Sequence, residues 1–211
     1  FQESIPAQRL AKEYVQRFAS VTKAPLRLGG HSKGGNLAVY AAAKCGDAIQ
    51  DRILAVFNHD GPGFTESMMT DPGYLRIVPR IKTLVPQSSI FGMLLERQEA
   101  YTVIRSNQLG IMQHDPYSWD LMADRFLEAS DLTPDNKFLD RTIKNWLAGM
   151  TMEERNEFVD TVFSLLGQGG AKKVYHLLHP QNISTLLKTL STDTNVRTVL
   201  ATELASFIEA A

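Results

Sequence analysis

Cysteine is nearly absent from this 211-residue chain, with Cys45 standing alone. An intrachain disulfide framework is thereby excluded, and the usage suits a reducing compartment, so a cytoplasmic location is expected. Long hydrophobic runs are missing too: every apolar stretch falls far short of a membrane span. Neither sign of charge dominates. Lys and Arg number 22 against 23 Asp and Glu, a formal net charge of −1, so no nucleic-acid partner is expected. The chain has no initiator Met and no signal-peptide pattern, and Phe1 opens onto a polar stretch. From this end it reads as a piece whose upstream residues are missing. What is present, 44% hydrophobic and 21% charged residues, is the composition of a globular protein rather than a disordered one.

The pattern along the chain predicts an α/β layer. Residues 5–19 read as a helix, with Pro6 in its first turn and Leu10, Ala11, Tyr14, Val15 and Phe18 on one face. A short strand follows at 25–29 and a helix at 33–44. "RILAVFN", residues 52–58, is a continuous apolar run and predicts a strand buried on both faces. Residues 80–85 and 101–105 are two further strands. Strands alternating with helices imply a parallel sheet. The character changes near "DLTPDN", residues 131–136, and everything after it reads as helical. Thr133 before Pro134 is a helix start, Thr151 with Glu154 fits a capping box, and "GQGG" at 167–170 is a stop. The last helix carries Val196, Val199, Leu200, Leu204, Phe207 and Ile208 on one stripe. The expected organisation is a core over 1–130 and a helical segment over 131–211, either covering the sheet or forming a cap.

The chemistry centres on "LRLGGHSKGGNLAVYAAAK". Gly30-His31-Ser32-Lys33-Gly34 fits G-x-S-x-G, a sharp strand-to-helix turn that presents a serine nucleophile. Glycines on both sides are expected to avoid clashes as the turn closes. The Lys33 N–H, at the start of the next helix, is placed to stabilise an oxyanion.

A serine needs a base, and in this class the chain order is Ser, acid, His. Five histidines are present. His31 lies inside the turn and is expected to point away from a base position. His59 ends a buried strand, and His176 and His179 belong to the helical tail. His114, in "GIMQHDPYSW", follows the last strand by a short loop and is the candidate base. Asp60, in "FNHDGPGF", is the leading acid, since Gly-Pro-Gly behind it forces a turn that could hold the carboxylate. After the next strand the chain reads "VPQSSIFG", with no carboxylate until Glu96, the second candidate. Asp115 adjoins His114, but adjacent side chains rarely make the required contact.

Together "GHSKGGNLAVYAA", "FNHDGPGF", "VPQSSIFGMLL" and "GIMQHDPYSW", with "IPAQRLAKEY" near the start, resemble the Mbeg-like family of bacterial proteins, a lipase-related α/β-hydrolase family. The resemblance spans most of the chain. It implies an α/β-hydrolase fold and a Ser-Asp-His triad carried by Ser32, Asp60 and His114. The chain is also similar to lipases that place the acid after the strand following the nucleophile turn, which supports Asp60. Members of the family carry further strands upstream, with a loop for a second oxyanion N–H, and this chain begins after them.

The expected activity is serine hydrolysis of a carboxylic ester, of a small molecule or an acyl lipid, with peripheral lipid contact and with no metal or cofactor required. A transacylase or thioesterase would use the same residues. A non-catalytic binding or scaffold protein on the same fold is the alternative.

Overall fold

The structure, a computed structural model, describes residues 4–168, 188 and 191–210. His176, His179 and the glycines at 169 and 170 lie outside the described residues. The chain divides into two compact units, Gln2–Asp140 and Arg141–Ala211.

In the first unit, helix α1 (Pro6–Val21) leads into β1 (Leu26–His31), and α2 (Lys33–Lys44) and the short α3 (Asp47–Gln50) lead into β2 (Ile53–His59). Two short helices, α4 (Glu66–Met69) and α5 (Pro72–Ile77), precede β3 (Ile81–Pro86), and β4 (Tyr101–Ile104) follows. The four strands form one parallel sheet in the order β1-β2-β3-β4. All four therefore end at the same edge, and the segments that follow them gather there. Crevices outside the carboxyl ends of parallel strands are where such sheets bind ligands. A small antiparallel hairpin, β5 (Leu121–Met122) with β6 (Arg125–Phe126), lies beyond the sheet in the chain and has no counterpart in the sequence reading.

The main core lies between the sheet and its helices: Val39, Ala42, Val56, Tyr74 and Ile77 are fully buried in it. A second cluster joins Val85, Met93, Val103 and Leu132. One apolar expectation needs correction. Leu54 is 49% exposed, so β2 is not buried on both faces at its start. On α1, Val15 packs on the core, but Leu10, Tyr14 and Phe18 are exposed. Tyr14 and Phe18 line an open apolar groove of about 430 Å³ together with Leu28 of β1 and Leu37 of α2.

The second unit is helical. Within it Thr151 and Glu154 make the reciprocal capping box of α7 (Met152–Gln168): the Glu154 N–H donates to Thr151 Oγ1 at 3.2 Å, and the Thr151 N–H to Glu154 Oε2 at 2.7 Å. Helix α6 (Pro134–Gly149), which spans the division, starts at the expected proline. Trp146 packs edge-on against Phe158 and against Phe207 of α8 (Thr194–Glu209). Val196 of α8 is buried, whereas Leu204 and Ile208 are exposed, so the stripe is covered in part.

Buried polar side chains fix the elements beneath the site. Gln50, wholly buried, donates through Nε2 to the carbonyls of Ala42, Ala43 and Gly73 at 2.9–3.0 Å. The first two are orphan carbonyls at the end of α2, so one amide caps that helix and ties it to α5. Replacing Gln50 with the similar-sized Met should cost about 1–3 kcal/mol, because those carbonyls lose their donor. A urea midpoint equal to wild type would show that the amide does not hold α2.

Candidate active site

Ser32 stands between the end of β1 and the start of α2 with φ +56° and ψ −130°. A non-glycine residue in this region stores about 1–3 kcal/mol of strain, which the surroundings must offset. They do so on both sides: the Ser32 N–H donates to His59 O at 2.8 Å, and its carbonyl accepts from Gly35 N–H at 2.9 Å. The glycine expectation holds at Gly30, where a Cβ would stand 2.3 Å from the Gly34 carbonyl carbon. It fails at Gly34, whose Cβ would meet nothing within 4 Å. The close approach falls instead at Gly35, where a Cβ would stand 2.1 Å from Asn58 Oδ1.

Lys33 opens α2. Among the described residues its N–H makes no hydrogen bond, and it stands at the positive end of the helix. Its side chain turns to Asn36 Oδ1 at 2.9 Å, and burial pushes its ammonium below the usual lysine range. Asn36 is buried and joins four partners. Its Oδ1 also accepts from Gln8 of α1, and its Nδ2 donates to the carbonyls of Pro62 and Gly63. One side chain thus connects α1, α2 and the loop behind Asp60.

Asp60 follows β2 directly, with φ +53° and no solvent exposure. Its backbone is set by its N–H donating to Leu84 O at 2.8 Å and by the Gly61 N–H donating to Asn58 Oδ1 at 3.0 Å. Three donors meet its carboxylate. Ser89 Oγ and the Gly92 N–H, the latter at 3.1 Å, reach Oδ1; His114 Nδ1 reaches Oδ2 at 2.7 Å. A carboxylate accepts, so Nδ1 carries the proton and neutral His114 keeps its lone pair on Nε2. The His114 ring lies between His31, with centroids 4.5 Å apart, and Phe91, at 4.3 Å.

The His114 segment is irregular, a short 3-10 turn over Gly110–His114, and side chains tie it down. The Trp119 indole donates to Gln113 O at 2.8 Å, and Gln113 Oε1 accepts from the Ser88 N–H at 2.8 Å. The other candidates stand elsewhere. Glu96 is exposed, and its backbone pairs with Phe64. Asp115 caps the turn that follows by accepting from the Tyr117 N–H. Of the two acids, Asp60 is the one in contact with His114. Among the described residues Ser32 Oγ makes no hydrogen bond, and no group of three or more His, Cys, Asp or Glu is placed to hold a metal ion. Asn36, Asn58, Ser89 and Gln113 escaped the sequence reading. Their signal was faint: polar residues inside an Ala-rich helix and an apolar strand, and a serine pair where a carboxylate was sought.

A family model described as Mbeg1-like matches residues 1–164. The chain belongs to the Mbeg1-like family. No curated protein and no solved structure matches it. Among the described residues no helix of this Mbeg1-like chain is long and apolar enough to cross a membrane.

Two histidines in this Mbeg1-like site are held below the ordinary imidazole range. Burial is the main cause at His31, and at His59 burial is joined by the nearby His31. The unfolded chain therefore binds more protons than the folded chain once pH falls below about 6.5. Their contribution to stability is fully present above that value and is lost as pH falls toward the lowered folded values. The urea midpoint should drop between about pH 7.5 and about pH 5.5. The drop should be smaller in His59→Phe, which keeps an aromatic ring against Trp119 and Phe126. Equal drops would remove His59 from the account. The glycines give a second contrast. Gly30→Ala should cost about 3 kcal/mol or more through backbone overlap, while Gly34→Ala should stay within about 1 kcal/mol of wild type. Equal losses in thermal melts would contradict the geometry of the turn.

Proposed function

We propose that this protein is a serine hydrolase of the lipase/esterase type, built on an α/β-hydrolase-like core and acting on carboxylic esters. One observation carries the reading: a serine with strained positive φ sits at a strand–helix turn, next in the sheet to a fully buried Asp60 bonded to His114 Nδ1. In this scheme Ser32 Oγ attacks the ester carbonyl while His114 Nε2 takes its proton. Asp60 holds the imidazole in that tautomer and stabilises the imidazolium that forms. The Lys33 N–H faces the developing oxyanion. His114 then returns the proton to the leaving alcohol, and water repeats the sequence on the acyl-serine.

A small-molecule or acyl-lipid ester fits the surroundings of the base. Leu109 and Tyr117, 85% and 95% exposed, flank His114 in sequence with Ile111 and Met112 also exposed, an apolar surface suited to peripheral lipid contact. The single buried Cys45 fits a cytoplasmic setting. The competing reading, a non-catalytic binding protein on the same core, draws on the absence of a hydrogen bond from Ser32 Oγ among the described residues. Catalytic contacts of this kind often tighten only when substrate is bound.

A fluorophosphonate probe separates the two. The wild-type chain should be labelled and Ser32→Ala should not. On a short-chain ester Asp60→Asn should lose turnover by up to about 10⁴-fold with the fold intact, since it favours the wrong tautomer. Glu96→Gln should match wild type. An unlabelled wild-type chain would overturn the hydrolase and leave the binding protein.

A further inference from the structure

His31, the residue before Ser32, has no part in the scheme above. The sequence suggested that it points away from the base; the structure brings it against the base. His31 closes β1 in register with His59. Its Nε2 lies 2.7 Å from the carbonyl oxygen of His114. A carbonyl oxygen only accepts, so this nitrogen is the donor, and neutral His31 is the Nε2–H tautomer. The two rings lie 4.5 Å apart and inclined at 39°, and Trp119 meets His31 edge-on at 6.3 Å.

The bond supplies something that the Asp60 contact lacks. Asp60 orients the His114 ring through Nδ1 but leaves the backbone that carries the ring to be fixed by other means. That backbone belongs to an irregular segment after the last strand of the sheet. Its own carbonyl is held by the strand that presents Ser32. Among the ties on this segment, His31 is the one that joins the base directly to the strand leading into the nucleophile turn, rather than through the length of loop between residues 32 and 114.

We propose that His31 is a positioning residue for the reaction at Ser32: its neutral imidazole donates from Nε2 to the His114 carbonyl and fixes where the His114 ring stands relative to the β1–α2 turn. The proposal rests on the hydrolase reading. Neutrality matters because His114 takes up a proton in turnover, and a charged His31 would oppose it across 4.5 Å. Burial of His31 favours the neutral form and outweighs its bond to the His114 carbonyl, which favours the charged one; nearby His114 adds to the burial, while Asp60 and Asp115 act the other way.

Three variants of the full chain test it with a short-chain ester. His31→Phe keeps a ring without a donor, His31→Gln places an amide N–H near the position of Nε2, and His31→Asn stops short of it. In Phe and Asn, kcat should fall about 10²-fold, the cost of an ångström-scale misplacement, with KM little changed. His31→Gln should recover most of the rate. Equal rates for Gln and Asn, or a wild-type rate for Phe, would overturn the proposal. If His31→Phe does not fold, the Gln and Asn pair decides alone. Histidine-ring ¹⁵N spectra read the bond without turnover, and an Nδ1–H tautomer at His31 would also overturn it. An unlabelled wild-type chain in the fluorophosphonate assay would instead sink the hydrolase reading itself.

Discussion

The buried carboxylate of Asp60 is the constraint on which the rest of the site depends. A charge with no solvent exposure is costly unless donors surround it. Here the donors come from separate segments: Ser89 and Gly92 after β3, and His114 after β4. The bonds that satisfy the charge also fix two loops, one through Ser89 and Gly92 and the other through His114. Gly92 shows how tight the arrangement is, for a Cβ there would stand 2.2 Å from Asp60 Oδ1. The two loops converge on the one carboxylate, and among the described residues the imidazole's second nitrogen makes no hydrogen bond.

Two strained residues stand at the same edge. Ser32 and Asp60 follow adjacent strands, and both have positive φ. They are linked in series: Ser32 donates to His59 O, and Asp60 donates to Leu84 O, each reaching one strand across the sheet. Parallel pairing carried one residue past the strands therefore holds two unfavourable backbones in place. The cost of about 1–3 kcal/mol at each is met by ladder bonds and close packing, not by glycine at the strained residues themselves. A polar side chain is thus presented at each position where glycine would relieve the backbone but carry no chemistry.

The four strands were legible because their signal is local. The expected starts at 25, 52, 80 and 101 lie within a residue of Leu26, Ile53, Ile81 and Tyr101. Asp60 was legible because Gly-Pro-Gly behind it announces a turn. What was missed is non-local. Asn36 gains its meaning from Gln8, Pro62 and Gly63, up to 28 residues away, and Ser89 from a carboxylate 29 residues earlier. On α1 periodicity gave the apolar face but not what covers it, and Leu10, Tyr14 and Phe18 are exposed. His31 was misjudged because alternation along β1 says which side of the sheet it takes, not which loop returns to meet it.

The placement of His114 has a further consequence for the loop that carries it. A side chain on an irregular segment is placed less firmly than one on a strand, unless the segment is tied down. This one is tied at intervals: Asn107 N–H to Ser118 O, Trp119 Nε1 to Gln113 O, the Ser88 N–H to Gln113 Oε1, and His31 to His114 O. The anchors lie on the inner side, while Leu109, Met112 and Tyr117 stay exposed. Inner and outer residues of one loop thus do separate work. Its polar contacts tie His114 to the sheet edge, and its apolar side chains stay exposed without taking part in those ties.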